Sequence, residues 1–177
     1  MIPTRILLLT LMLAAPHAVS AQAPGRDACN VEVDITDRDP HGANVRAAPG
    51  GSIVTALKNP AGDGWIVVHL TAQQGDWFEI DRAVLIDLDQ DKEQGKESVI
   101  FQGRGFVHRG VVGAGGLQNG AVIYRDHATS SAKLDGHASG DQAVELLGCF
   151  GDFAKVRVKA GIGWTRQLCT NMVTTCS

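Results

Sequence analysis

The stretch Ala-Val-Glu-Leu-Leu-Gly-Cys-Phe-Gly-Asp-Phe-Ala-Lys-Val-Arg-Val, residues 143–158, decides the fold class of this 177-residue chain. In its second half, apolar side chains alternate with Lys155 and Arg157. A period of two predicts a strand that packs on one face only. Gly151 and Asp152 lie between the two halves, and both residue types favour tight turns. The stretch therefore predicts two antiparallel strands joined by a short turn.

Other short segments show the same strand-like character. Residues 66–71 and 77–80 are rich in β-branched and aromatic side chains and lie between glycines. No segment has the apolar spacing of a long amphipathic helix. We therefore expect an all-β protein of many short strands, an arrangement typical of small barrels.

Three anchor segments occur twice in the chain, in the same order. In the first copy they are Asn44-Val45-Arg46-Ala47-Ala48-Pro49, Gly75-Asp76-Trp77 and Gly105-Phe106-Val107. In the second copy the matching segments are Arg125, Gly151-Asp152-Phe153 and Gly163-Trp164. Internal repetition of this kind indicates a duplicated structural unit.

The two copies differ in length between their last two anchors. Gly75 and Gly105 are 30 positions apart, whereas Gly151 and Gly163 are 12 positions apart. The extra residues of the first copy, 81–100, are largely polar and charged. We predict that they form an inserted polar loop or hairpin extension, and a functional loop is the alternative.

A glycine-rich stretch separates the two copies. It covers residues 113–120 and ends in Asn119-Gly120, and we interpret it as a linker. The first unit then spans 29–112 and the second 121–169, followed by a cysteine-containing tail over 170–177.

The anchors resemble the signature of the bacterial SH3-like (SH3b) domain family. That signature has an LNVRSGPG-like start, a GGW-type hairpin and a GWV-type closing strand, and the first copy resembles it in all three segments. The second copy lacks the Asn and the Pro of the first anchor. Residues 168–176 also resemble the C-terminal end of exported SH3-domain-containing bacterial proteins. The resemblance implies two small SH3-like β-barrels in tandem.

The N-terminal segment 1–21 has the three regions of a secretory signal peptide. Arg5 precedes an apolar run over 6–15, and Val19-Ser20-Ala21 ends the segment. The run is shorter than the roughly 20 apolar residues that a membrane anchor needs. We expect cleavage after Ala21, no transmembrane anchor in the mature chain, and a periplasmic or secreted protein.

The cysteines support the same compartment. An even number of cysteines in an exported chain favours two disulfide bonds, and sequence cannot choose among the three pairings. Their spacing does not fit a zinc site. The four residues are Cys29, Cys149, Cys169 and Cys176.

Composition and motifs exclude several classes of function. The formal net charge of −3 lacks the basic excess that non-specific nucleic-acid binding needs. The five histidines after residue 21 have no HExxH-like spacing. The glycine-rich stretches 103–105 and 110–116 lack the Gly-Lys-Ser/Thr ending of a phosphate loop. We expect no cofactor, no metal and no enzymatic activity.

Four aromatic residues of the anchors are interpreted as the structural core. A barrel of about 60 residues needs such large apolar side chains because its core is small. Ligand binding is the alternative role for them. They are Trp77, Phe106, Phe153 and Trp164.

The leading functional hypothesis is an exported, non-catalytic binding module of the bacterial cell envelope. The resemblance implies peptidoglycan or an envelope protein as the partner. The alternatives are a protein-interaction or inhibitor role with one specific partner, and a small cell-wall hydrolase. Candidate contact residues flank the first loop and the closing strand of each unit and can meet carboxylate-bearing ligands: Arg46, His108, Arg109, Tyr124, Arg125, His127 and Arg166.

Overall fold

The structure, a computed structural model, describes residues 25–89, 95–134 and 144–170. The predicted signal peptide over 1–21, and the tail beyond residue 170 with Cys176, lie outside the described residues. Twelve strands and one short 3₁₀ helix (Arg109–Val111) make up the secondary structure of the described residues. The all-β fold class is confirmed.

The strands follow one another closely along the chain. In chain order they are β1 (Arg26–Ile35), β2 (Ala43–Arg46), β3 (Ile53–Leu57), β4 (Gly64–Gln74), β5 (Trp77–Asp87), β6 (Lys96–His108), β7 (Val112–Ala114), β8 (Gly116–Leu117), β9 (Val144–Phe150), β10 (Phe153–Val158), β11 (Gly161–Thr165) and β12 (Leu168–Cys169).

Ten of these strands form one antiparallel sheet in the order β11-β10-β9-β7-β1-β4-β5-β6-β2-β3. The strands β8 and β12 pair separately, through Leu117 with Leu168 and Gly116 with Cys169. Consecutive strands β4, β5 and β6 form one meander, and β9, β10 and β11 form another.

The two meanders have corresponding neighbours. β1 pairs with the first strand of one meander, and β7 pairs with the first strand of the other. On the far side, β2 pairs with β6 through Arg46 and Phe106, and Tyr124 bridges to Trp164 of β11. We refer to residues 26–111 as the first copy and to residues 112–169 as the second copy.

The expected pair of separate closed barrels is not found in the described residues, in which ten of the twelve strands form one continuous sheet. β1 and β7 pair with each other, Asp34 opposite Gly113 and Ile35 opposite Val112. A closed barrel would cover the second edge of β1 with a strand of its own unit. That edge is taken here by the second copy, so the two copies share backbone hydrogen bonds.

The segment predicted as a linker, 113–120, is part of this shared structure. It contains the end of β7 and all of β8, and Ala114 and Leu117 are buried. A Cβ added to Gly113 would lie 3.0 Å from Thr36 Cγ2. Gly113 therefore allows a neighbouring segment of the chain to approach closely, which is a different role from the flexibility that we predicted.

The inserted residues 81–100 of the first copy extend a hairpin. They lengthen β5 and β6, which remain paired as far as Asp87 and Lys96, while residues 90–94 lie outside the described residues. The extension is not uniformly polar, since Val84 and Ile86 pack with Trp65 in a small second apolar cluster.

The main core is largely aliphatic and extends through both copies. Its largest fully buried side chain is Phe78, and Phe106 is also buried. The other three predicted core aromatics, Trp77, Phe153 and Trp164, are half-buried. Among the four predicted core aromatics, Phe106 alone is therefore buried.

A disulfide bond between Cys29 and Cys149 joins β1 to β9 across 120 positions of sequence. Cys169 is also disulfide-bonded. The predicted oxidation of the cysteines is thus confirmed for these three residues. The bond between Cys29 and Cys149 gives the two copies a covalent link beside the shared sheet.

Candidate binding surface

Five ring-bearing side chains of the second copy form one surface cluster, which we call the aromatic surface. Phe150 ends β9, Phe153 begins β10 and Trp164 lies in β11, and Tyr124 and His127 come from the segment that precedes β9. Phe150 is 42% exposed, and the other four are half-buried. The cluster therefore presents ring faces and edges to solvent.

The ring contacts on this surface fall into two groups, one around His127 and one between Tyr124 and Phe153. The His127 ring centroid lies 4.1 Å from that of Phe150 and 5.3 Å from that of Trp164. The ring of Tyr124 meets that of Phe153 edge-on at 6.1 Å. Such packing restricts the rings before any ligand arrives, which lowers the entropy cost of binding.

Local sequence explains how the rings are placed. Gly151 has a φ of 51° and is the first residue of the two-residue turn between Phe150 and Phe153. A positive φ at that position alone is the requirement of a type II′ hairpin turn, which glycine meets without steric cost. Backbone hydrogen bonds of 2.7 and 2.8 Å between Tyr124 and Trp164 hold the other side of the surface.

Two cations border the aromatic surface. Lys155 Nζ lies 5.5 Å from the ring centroid of Trp164, and Arg166 Cζ lies 5.8 Å from that of Phe153. Arg166 also pairs with Asp152 at 3.6 Å, and both side chains are about half exposed. The surface thus combines ring faces with exposed positive charge.

The first copy has a smaller group of the same type. The ring of Trp77 meets His108 edge-on at 5.2 Å, and Arg46 Cζ lies 5.9 Å from the Trp77 centroid. Arg109 pairs with Asp76 of the Gly-Asp turn at 3.3 Å. Two of the predicted contact residues, Arg46 and His108, therefore lie against Trp77, and a third, Arg109, pairs with the aspartate that precedes Trp77.

The copies differ in charge at one corresponding position. Lys155 is the strand partner of Trp164 in the second copy, and Glu79 is the strand partner of Phe106 in the first. Glu79 is nearly buried and bridges Arg26 and Arg104 at 3.1 Å each.

Those contacts determine the ionisation of Glu79. Burial by itself raises the pKa of Glu79, but hydrogen bonds from Arg26 and Arg104 outweigh burial and leave that pKa below its ordinary value. The first copy therefore holds an ionised carboxylate paired with two arginines where the second copy presents a lysine.

The predicted contact residues fall into three groups. Tyr124, His127 and Arg166 belong to the aromatic surface, whereas Arg46, His108 and Arg109 lie in the first copy. Arg125 is exposed and in neither group. The alignment of the two copies did not identify Phe150 or Lys155 as contact residues. The position of Phe150 immediately before the Gly-Asp turn could have indicated its role.

At the first anchor, strand pairing aligns the two copies one residue away from the alignment that the sequence suggests. Arg46 pairs with both Ile53 and Phe106, and Tyr124 pairs with both Lys133 and Trp164. The structural counterpart of Arg46 is therefore Tyr124, which explains why Arg125 lies away from the surface.

A buried carboxyl group lies in the seam between the copies. Asp34 of β1 is fully buried, and its Oδ2 accepts a hydrogen bond of 3.0 Å from the Gly115 N–H. Its Oδ1 has no hydrogen-bond partner. Burial raises the pKa of Asp34 to about 7, and the Gly115 hydrogen bond opposes that rise.

A cleft of about 500 Å³ also borders the seam, lined in part by His108, Arg109, Val112 and Glu145. Within the described residues, no three His, Cys, Asp or Glu side chains are arranged to hold a metal ion. No helix in the same ranges has the length and apolar character needed to cross a membrane.

The fold and the surface together define an all-β protein with a repeated meander and an exposed aromatic surface on its second copy. Comparisons with protein-family models, with curated proteins and with solved structures each found no match to this chain.

Proposed function

We propose that this protein is an exported, non-catalytic binding module of the bacterial cell envelope that holds peptidoglycan on the aromatic surface. The observation that carries the proposal is the placement of four of its nine Phe, Trp and Tyr side chains on one exposed or half-buried surface. Aromatic side chains are large apolar groups that otherwise fill protein cores.

The chemistry of the surface fits a polymer of sugars and acidic peptides. The apolar face of a sugar ring packs on aromatic rings such as Phe150 and Trp164. The cations Lys155 and Arg166 at the border suit the carboxylates of wall peptides. A ligand with both features can engage the rings and the charges together.

Export is supported by two features of the chain. Residues 1–21 have the pattern of a signal peptide. The disulfide bond between Cys29 and Cys149 is of a kind that persists in oxidising compartments. Both features agree with a periplasmic or secreted location.

Membership of the SH3b family remains part of the proposal. The sequence anchors support it, as do the repeated meander and the glycine at the start of each Gly-Asp turn, with φ values of 59° at Gly75 and 51° at Gly151. In this proposal the two units are open variants that share a sheet through β1 and β7.

A single protein partner is the second candidate. Ile53 and Val54 are each 55% exposed and lie on β3, at one end of the sheet order. An exposed apolar edge strand is a place where a partner can add a strand. This candidate predicts a stoichiometric complex with one protein and no retention on cell wall.

The test is sedimentation of the purified protein with purified peptidoglycan. Phe150→Ala should weaken retention about tenfold, because truncating a central aromatic contact costs roughly 1–2 kcal/mol. Val99→Ala removes a side chain that is 58% exposed on the hairpin extension, and it should leave retention unchanged.

Equal retention of the wild type and a folded Phe150→Ala variant would rule out the aromatic surface as the binding site. If the wild type does not sediment with peptidoglycan but one envelope protein co-purifies at fixed stoichiometry, the second candidate replaces the first.

A further inference from the structure

A polar network links the first copy to the turn of the second, and His69 of β4 is at its centre. His69 Nδ1 lies 2.8 Å from Asp81 Oδ1, and His69 Nε2 lies 3.0 Å from Asn30 Oδ1. The Asn30 Nδ2 donates to Asp152 Oδ1 at 2.9 Å. We call Asn30, His69, Asp81 and Asp152 the junction network.

The orientation of the Asn30 amide follows from its partner on the other side. Rotating the amide by half a turn would place its oxygen against the Asp152 carboxylate, where two acceptors would meet. With the amino group facing Asp152, the amide oxygen faces His69 and can only accept a hydrogen bond.

The imidazole of His69 therefore lies between two acceptors. A neutral imidazole has one N–H group and can donate to Asp81 or to Asn30, but not to both. Both hydrogen bonds form only when both ring nitrogens carry hydrogen, which makes the ring a cation.

The charges around His69 are mixed. Glu32 of β1 and Arg82 of β5 are its strand partners, and they pair with each other at 2.9 Å. Asp81 contacts the ring directly. Asp152, on the far side of Asn30, pairs with Arg166. Asp81 is therefore the carboxylate that pairs with the His69 cation.

The network acts on a specific contact between the copies. The Asn30 N–H donates to the Gly151 carbonyl at 2.8 Å, and the Gly151 N–H donates to the Ala28 carbonyl at 2.7 Å. These bonds hold the Gly151-Asp152 turn against β1. The same turn carries Phe150 and Phe153 on its two sides.

We infer that His69 is a proton-operated latch between the copies: its protonated ring orients Asn30, and Asn30 holds the Gly151-Asp152 turn on β1. Loss of the proton removes one of the two hydrogen bonds and loosens the turn. The contact is therefore tighter at pH 5 than at pH 8. This inference does not depend on what the protein binds.

The latch is tested by amide hydrogen exchange and by NMR of the His69 ring. In an Asp34→Asn variant, which removes the buried seam carboxyl that also titrates in this range, protection of the Gly151 N–H, corrected for the intrinsic pH dependence of exchange, should fall about threefold between pH 5 and pH 8. That is the size expected of one exposed ionic contact. The ring ¹⁵N signals should show both nitrogens protonated where Gly151 is most protected.

Two variants isolate the relay. In the same Asp34→Asn background, His69→Gln and Asn30→Ala should each make Gly151 protection independent of pH over this range. His41→Gln is the matched control, because His41 Nδ1 also contacts an aspartate, Asp39, at 2.9 Å but its side chain is 90% exposed. It should behave as the parent Asp34→Asn variant.

The inference is overturned if Gly151 protection in the Asp34→Asn variant is the same at both pH values. It is also overturned if either relay variant keeps the full pH-dependent fall, or if the ring is neutral while Gly151 is protected. The ring signals of the wild type decide the question even where a variant folds poorly.

Discussion

At the scale of single residues, burial of Asp34 couples the seam between the copies to pH. The seam offers this carboxyl one backbone donor, from Gly115, and leaves the second oxygen without a partner. A neutral carboxyl suits such a site better than a carboxylate, because an ion removed from water needs several compensating contacts.

The stability of the protein should therefore fall as pH rises from about 4 to about 7. The pKa of Asp34 is about 7 in the folded chain against 3.8 for the free side chain, so the folded state binds more protons across this interval. The stabilisation is complete below the lower value and lost above the upper one, and it amounts to at most about 4 kcal/mol.

Asp34→Asn should remove this dependence, which denaturant unfolding at several pH values would measure. The variant should gain stability over the wild type at pH 8 and match it near pH 4. Asp27→Asn changes an exposed acid of the same strand and should keep the wild-type profile. A pH profile of Asp34→Asn identical to that of the wild type would contradict the role of Asp34.

At the scale of secondary-structure elements, the two Gly-Asp turns organise the meanders. Each turn joins adjacent antiparallel strands through two residues, after Gln74 in the first copy and after Phe150 in the second. Each begins with a glycine at positive φ, and a Cβ at Gly75 or Gly151 would have no atom within 4 Å. Backbone conformation alone therefore requires glycine there.

Gly151→Ala and Gly75→Ala should each destabilise the protein by about 1–2 kcal/mol, because a left-handed backbone conformation costs that much for a residue with a Cβ. Thermal unfolding would show the loss as a lower midpoint. Gly25→Ala is the control, since an added Cβ there also has open space but the backbone φ is not positive. An unchanged midpoint in both turn variants would contradict the turn assignment.

At the scale of the whole molecule, the two copies are joined by the β1–β7 pairing, by Cys29–Cys149 and by the turn that lies on β1. The disulfide bond closes a loop of 120 positions in sequence. Long loops lose most conformational entropy in the unfolded chain when they are cross-linked.

Replacing both Cys29 and Cys149 with Ser should lower the free energy of unfolding by about 2–5 kcal/mol. Denaturant unfolding without reductant measures this change. Wild-type protein treated with reductant loses the bond of Cys169 as well and should be at least as unstable as the double variant. A double variant as stable as the wild type would show that the sheet alone holds the copies together.

Local pattern predicted much of the fold because strands and turns are specified over a few residues. Alternation over 154–158 predicted β10, and the Gly-Asp pairs predicted both turns. Trp77 and Phe78 show the limit of this reasoning. Neighbouring strand residues face opposite sides of the sheet, so one of the two enters the core. The motif suggested Trp77 as a core residue, but Phe78 is the residue that is buried in the core.

The candidate site was predicted in part for the same reason. Tyr124, His127 and Arg166 were identified from their places in the repeated anchors. Phe150 and Lys155 join them through pairing between strands that are distant from Tyr124 in sequence. Arg125 was predicted from a sequence alignment of the two copies that differs by one residue from the alignment set by strand pairing.

The amino-acid sequence by itself determined the all-β class, the Gly-Asp turns and the pairs of strands that adjoin them, because each depends on side-chain alternation and backbone freedom within one short segment. The tertiary structure decided that β1 pairs with β7, that glycines predicted to form a linker lie within the strands, and that five rings meet on one surface. Those features depend on which strand edges, distant in sequence, pair with each other. The free energy of such pairing depends on the packing of the whole chain, so no single segment determines it.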